Sequence, residues 1–375
     1  MKERSAFPSI THLSPLPPPV GGVSIFVDRL HRRLRSSGIN SRVAVPRAWT
    51  GSQQGGAIRR PGFPGVLWHL DALLYLSKPF STDIVHSHEG YRENAPILLA
   101  LKARAKKIVL TIHSSRHCGD LDGLHPWQRI CAQQIVADPR TSWVAVNEQI
   151  RERLIRLGVA GSLVVIPAYM PPNPSSIDLP DHLLSFIKTH TPLLLVYGFR
   201  FSRFDGKDLY GFESSIRMLH QLMPHYSQIG LVVLCPDSGS DSGKERLAEL
   251  RGLSYELGTA DSIYWVLHPF DALQSLLQQC TLYIRPTLSD GDSLLVREAL
   301  AKSVRVVASD VVPRPKGVET YPIRESVDGL ARAVTKALCM GKSMVFDQPD
   351  TFTSMLKIYE RVFDDPKQRD KMNPS

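Results

Sequence analysis

Short apolar runs recur along this chain and alternate with stretches of helical spacing. Ser9–Leu13, Arg42–Pro46, Asp83–His88, Lys107–His113, Trp143–Val146 and Leu163–Pro167 read as buried strands of a first series. Amphipathic segments such as Val23–Ser37 and Gln149–Leu157 lie between them. Strand–helix alternation predicts a parallel sheet covered by helices on both faces. A second series opens at Leu193–Gly198, passes through a helix ending near Met223, and continues with strands at Ile229–Cys235, Ser262–Leu267, Thr281–Arg285 and Arg305–Ala308. Thr351–Phe363 again has helical spacing.

Between the two series lies Pro171-Pro172-Asn173-Pro174-Ser175-Ser176, a linker composition. A domain boundary is expected there, with residues 1–175 on one side and 176–348 on the other. The length of 375 residues supports this, because a single core stops growing well below that size. Hydrophobic content of 43% and charged content of 22% are those of a globular protein. No leader-like start and no apolar run of about 18 residues is present, so neither secretion nor a membrane span is expected. The cysteines at 118, 131, 235, 280 and 339 are scattered without a C-x-x-C spacing, which fits reduced thiols in the cytoplasm.

Charge divides the chain unevenly. The net charge is +9, but residues 1–180 hold 22 Lys+Arg against 12 Asp+Glu, a balance of +10, leaving 23 against 24 for the rest. A one-sided basic domain suits an anionic membrane or a phosphorylated acceptor. Nucleic acid is disfavoured, since no RNP, helix-turn-helix or zinc-finger pattern accompanies the charge. Val66–Phe80 has a broad apolar face of Trp68, Leu70, Leu73, Leu74 and Leu76, the spacing of core packing, and Trp68, Leu73 and Tyr75 are candidates to rest in a membrane interface. The helix expected over Asn94–Lys107 ends in Lys102, Arg104, Lys106 and Lys107, a candidate basic contact.

The densest chemistry lies between Arg285 and Asp310. Asp290 precedes Glu298 by eight positions, with Gly291-Asp292-Ser293-Leu294 opening the intervening helix. Eight residues span a little over two turns, so both carboxylates can flank a ligand near the helix start. Upstream, Gly198 is followed by Arg200, Arg203 and Lys207, cations placed where a diphosphate would sit before a helix. In the first half, Gly21-Gly22 at a helix start lets an anion approach backbone N–H groups. Histidines cluster at strand ends: His86, His88 and His113, followed by His117 and His125.

The Asp290-to-Glu298 spacing resembles the E-x7-E signature of retaining family-4 glycosyltransferases. Thr111-Ile112-His113-Ser114 resembles that family's T-x-H-x element, and Arg200 with Lys207 its G-R…K-G element. The resemblance implies an α/β fold of GT-B type: two facing Rossmann-like domains, with a terminal helix at 349–375 returning to the first. It implies transfer of a sugar from a nucleotide-diphosphate sugar to a glycan or polyprenyl-diphosphate-linked acceptor, in bacterial surface polysaccharide synthesis, with no cofactor or metal. Asp290 would then face the sugar and Glu298 the ribose. Arg200 and Lys207 would hold the diphosphate, with Arg203 a substitute for Arg200, while Gly21, Gly22, Gly291, Asp292, Ser293 and Leu294 would line the donor and His113 would orient the reacting sugar. Two departures bear on donor identity: Asp replaces the usual Glu at 290, and Gly-Asp-Ser replaces Gly-Phe-Gly at 291–293. A D-x-D metal site at Asp290 and Asp292 is the less favoured alternative. A nucleotide-sugar 2-epimerase on the same fold, or a catalytically silent subunit, are the rival functions. The expected place is the cytoplasmic face of a membrane, held peripherally.

Overall fold

The computed structural model describes residues 7–17, 21–45, 57–59, 82–88, 90–103, 106–114, 121–172, 177–340 and 345–364. It divides into two compact units, Met1–Met170 with Pro349–Ser375, and Pro171–Gln348.

The first unit is built on a seven-stranded parallel sheet in the order β3-β2-β1-β4-β5-β6-β7. Its strands are β1 (Ile10–Leu13), β2 (Ser41–Val45), β3 (Ala57–Arg59), β4 (Ile84–Ser87), β5 (Lys107–Ile112), β6 (Ser142–Ala145) and β7 (Leu163–Val165). All six residues of β5 are buried, as expected of a strand covered on both faces. The Thr351–Asp364 helix belongs to this unit and puts Phe352, Met355, Ile358, Tyr359 and Val362 into its core. Their spacing of three and four residues is one helical face.

The second unit has a six-stranded parallel sheet in the order β12-β11-β8-β13-β14-β15. These strands are β8 (Leu193–Tyr197), β11 (Gly230–Leu234), β12 (Ile263–Val266), β13 (Leu282–Arg285), β14 (Arg305–Ser309) and β15 (Val318–Tyr321). A small antiparallel hairpin, β9 (Arg203–Phe204) and β10 (Lys207–Asp208), lies outside this sheet. Its turn residues Asp205 and Gly206 have φ of 51° and 72°, and an Asp-Gly pair tolerates those values.

Both sheets reverse strand order once, between β1 and β4 in the first and between β8 and β13 in the second. In open α/β sheets a crevice forms outside the carboxyl ends of the strands at such a point.

Two expectations need correction. The helix predicted over Asn94–Lys107 runs from Tyr91 to Ala103, and Lys107 instead opens β5. Its cations are also not a free basic patch. Lys102 pairs with Asp138 and donates to Thr141 Oγ1 at 2.7 Å, Lys106 donates to the Thr82 carbonyl at 2.6 Å, and buried Lys107 donates to the Phe363 carbonyl. Burial pushes the Lys102 ammonium below its ordinary pKa, opposed by Asp138. The Val66–Phe80 segment, Arg104, His117 and Cys118 lie outside the described residues.

Candidate functional site

At the carboxyl end of β8 the chain turns through Gly198 into the Arg200–Lys207 segment. A Cβ on Gly198 would come within 2.5 Å of the Phe212 ring, so glycine lets the strand end pack against the next helix. Arg200 is exposed, pairs with Asp237 at 2.7 Å and lies over the Phe199 ring. Arg203 pairs with Glu249 at 3.2 Å. Lys207 is exposed on the hairpin, beside Asp208. Asp208 is half-buried and accepts from the backbone N–H groups of Tyr210, Gly211 and Glu213, fixing the start of the Phe212–Leu222 helix. Burial raises the Asp208 carboxyl above its ordinary value, against those N–H groups and Arg246.

At the carboxyl end of neighbouring β13 stands the Asp290 segment. Ser293 is the N-cap of a helix over Leu294–Ala301. Glu298 lies within this helix, 2% exposed, and accepts from Gln274 Nε2 at 2.5 Å. Asp292 turns aside and receives Arg297 Nε at 2.7 and 2.8 Å.

Asp290 differs most from the expectation of a bare carboxylate facing a sugar. Arg285 Nε and Nη2 donate to its two oxygens at 3.2 and 3.0 Å, and Arg314 Nη1 donates to Oδ2 at 2.7 Å. The Gly291 N–H adds a further bond to Oδ1 at 3.1 Å. Burial opposes ionisation of Asp290, but Arg285 and Arg314 outweigh it and hold the carboxyl well below its usual range. With both Asp290 and Asp292 bound by guanidinium groups, neither offers the open oxygens that a hard cation selects.

In the first unit, Gly21 precedes the Gly22–Ser36 helix and its N–H donates to Ser24 Oγ at 2.9 Å. A Cβ on Gly22 would meet nothing within 4 Å among the described residues. Across the strand-order reversal a file of imidazoles occupies one face of the sheet. Register places His12 of β1 opposite His86 of β4. His12 Nδ1 lies 3.1 Å from His88 Nε2, and His88 Nδ1 lies 3.1 Å from His113 Nε2. His86 is held by Thr111 Oγ1 at 2.7 Å and Tyr359 Oη at 2.8 Å, a core role. Ring nitrogens of His12, His86 and His88 come within 4.8 Å of one another, so these three could hold a metal, at the cost of the bonds His86 already makes. Burial, with His31 adding to it, lowers the His12 pKa to about 3, and burial also pushes His86 and His88 well down, so all three are neutral. His113, 9% exposed, ends the file, packed edge-on against the Phe26 ring with centroids 5.4 Å apart.

The structure thus brings Arg200, Arg203 and Lys207 to the end of one strand of the second unit and Asp290, Gly291, Asp292, Ser293, Leu294 and Glu298 to the end of its neighbour. Gly21, Gly22 and His113 belong to the first unit. Sequence reading missed Arg285, Arg314, Gln274 and His12. Arg285 had a signal, an arginine closing an apolar strand; Arg314 had none beyond its place between two prolines.

Residues 20–168 match the family described as Glycosyltransferase Family 4. No curated protein sequence matches the chain. Among solved structures, sucrose-phosphate synthase from Thermosynechococcus elongatus is similar with a TM-score of 0.67 at 16% identity, over 97% of this chain and 98% of that one. HepE of Anabaena in complex with UDP gives 0.67 at 13% identity, over 97% and 98%. WaaG, a glycosyltransferase involved in lipopolysaccharide biosynthesis, gives 0.62 at 13%, over 96% of each. The family-4 resemblance and the GT-B fold of two Rossmann-like domains are both upheld by these matches.

Proposed function

We propose, with the family-4 match over the first unit and the shared GT-B fold as premise, that this chain is a retaining, metal-independent glycosyltransferase. Its donor is a nucleotide-diphosphate sugar, and its acceptor a glycan or polyprenyl-diphosphate-linked saccharide used in bacterial surface polysaccharide synthesis. One observation carries the reading: adjacent strands β8 and β13, on either side of the strand-order reversal, end in the Arg200–Lys207 and Asp290–Glu298 segments. The UDP bound to HepE and the role of WaaG are in keeping with such a donor and such a product.

In the transfer, the bond from the anomeric carbon to the diphosphate oxygen breaks. The acceptor oxygen bonds to that carbon on the same face, and the acceptor proton leaves with the diphosphate. Charge therefore accumulates on the diphosphate, and fixed cations there lower the barrier. Lys207 supplies that charge as a compact ammonium, supported by Arg200 or Arg203, while the backbone N–H groups from Gly291 to Leu294 approach the phosphates. Glu298, steadied by Gln274, receives the ribose hydroxyls.

The test is thermal denaturation in EDTA with millimolar UDP, GDP, ADP or dTDP. Binding to the folded state alone stabilises by about 2.7 kcal/mol at a hundred times Kd. A raised Tm with one of the four is expected; no shift with any would sink the donor-site assignment.

A further inference from the structure

We propose that the donor carries an acidic sugar, a hexuronic acid or similarly carboxylated hexose, which Arg285 and Arg314 recognise. The inference rests on the donor-site reading above and goes further by naming the sugar's chemical class.

The first step is the state of Asp290. A lone carboxylate at this position would accept hydrogen bonds from the hydroxyls of a neutral hexose. Here its oxygens already receive three N–H bonds from two arginines and one from Gly291. Its capacity as an acceptor is largely spent.

The second step is charge. The group contains two guanidinium ions and one carboxylate, and no other carboxylate pairs with either arginine among the described residues. One positive charge is left over, on side chains of which only 11% (Arg285) and 4% (Arg314) is exposed. Glu298 does not pair with either arginine; its carboxylate is held by Gln274. An unmatched charge withdrawn from water is costly, and an anion entering the site relieves that cost.

The third step is unused donors. Each guanidinium has five N–H groups. Arg285 spends three, two on Asp290 and one on the Tyr197 carbonyl, and Arg314 spends three, one on Asp290 and two on Ser309. Two on each have no acceptor in hydrogen-bonding geometry among the described residues. The Tyr283 hydroxyl, fully buried on the same face of β13, lies against the Arg285 guanidinium and adds a polar atom to the group. Planar N–H forks of this kind match a carboxylate in two-point geometry. The diphosphate has its own cations in the Arg200–Lys207 segment, so the arginines at 285 and 314 are left for a second anion, on the sugar.

Calorimetric titration of the full chain tests this, with UDP, UDP-glucose and UDP-glucuronic acid, and with GDP, GDP-mannose and GDP-mannuronic acid. The acidic sugar is expected to bind about tenfold tighter than its neutral counterpart on the same base. Arg314→Gln should abolish that preference while leaving the affinity for the bare diphosphate unchanged, and Arg314→Lys should restore part of it. Circular dichroism confirms that both variants fold. Neutral sugars bound as tightly as acidic ones would overturn the proposal. So would an Arg314→Gln variant that weakens bare UDP or GDP as much as the acidic sugar, since the pair would then be reading phosphate. If no nucleotide binds, the donor-site reading itself fails and this inference falls with it.

Discussion

The hydroxyl of Tyr359 lies 2.8 Å from Nδ1 of His86, joining the Thr351–Asp364 helix to the middle of the first sheet across 273 residues of sequence. Both side chains are fully buried, and His86 uses its other nitrogen on Thr111. A partner removed here leaves a polar atom stranded rather than hydrated. Tyr359→Phe is therefore expected to cost about 1–3 kcal/mol, with urea unfolding followed at the first unit's transition as the measure. A midpoint equal to wild type would show that His86 finds another partner.

Acid should unfold the first unit early. Burial holds the His12, His86 and His88 imidazoles well below their ordinary pKa of 6.5, His12 at about 3, so as pH falls below that ordinary value the unfolded chain binds protons that the folded one does not. The sign follows: their contribution is complete above about 6.5 and is lost as pH falls toward the folded value. Each histidine adds about 1.4 kcal/mol per pH unit within its window. Unfolding free energy measured from pH 7.5 to 5 should drop steeply, and His12→Gln should flatten the slope by about one proton. A pH-independent stability over that range would refute the neutral-imidazole assignment.

Local sequence pattern carried the fold because it is local physics: apolar runs such as Ile108–Ile112 have one plausible place, the middle of a covered sheet. The Asp290–Glu298 spacing was equally readable, since a loop and two helical turns fix it. Relations created by strand pairing were not. Arg314 reaches Asp290 from 24 residues downstream because β13 and β14 run side by side, and His12 enters the imidazole file because β1 pairs in register with β4. Neither adjacency leaves a periodic trace. The basic helix end misled for a related reason: Lys102, Lys106 and Lys107 look like a solvated cluster in one dimension, but each has a specific acceptor in three.

Lys207 and Glu298 should separate rate from binding. Lys207 is exposed, with no side-chain partner among the described residues, and replacing it removes little from the fold. Lys207→Ala is expected to slow transfer by about a hundredfold or more, the usual loss for one donor to a developing charge, with donor affinity less affected. Glu298→Ala should instead raise the dissociation constant of the nucleotide. Single-turnover kinetics and titration on both variants decide the matter. Wild-type turnover in Lys207→Ala would remove it from the leaving-group role.

Charge in the first half leads to the final expectation, reversible attachment to an anionic membrane surface. The +10 balance of residues 1–180 survives the sequestration of Lys102, Lys106 and Lys107, because Arg32, Arg33, Arg35, Arg151 and Arg156 are exposed. Basic residues close to such a surface contribute about 1 kcal/mol each, fading beyond a Debye length of about 10 Å at 0.1 M salt. An apolar term is available on the Pro126–Val136 helix, where Trp127 is 38% and Ile130 56% exposed, flanking the exposed Arg129. Tryptophan suits the interface, with an apolar ring and a polar N–H. No helix among the described residues is long and apolar enough to cross a membrane. Co-sedimentation with anionic liposomes is expected at low salt and should fall steeply as salt rises, with little recovery on neutral lipid. The double variant Trp127→Ser, Ile130→Ser should weaken binding without changing its salt dependence, because it removes the apolar term alone. Equal recovery on both lipids, or binding indifferent to salt, would mean that charge does not place this protein and that its acceptor is met in solution.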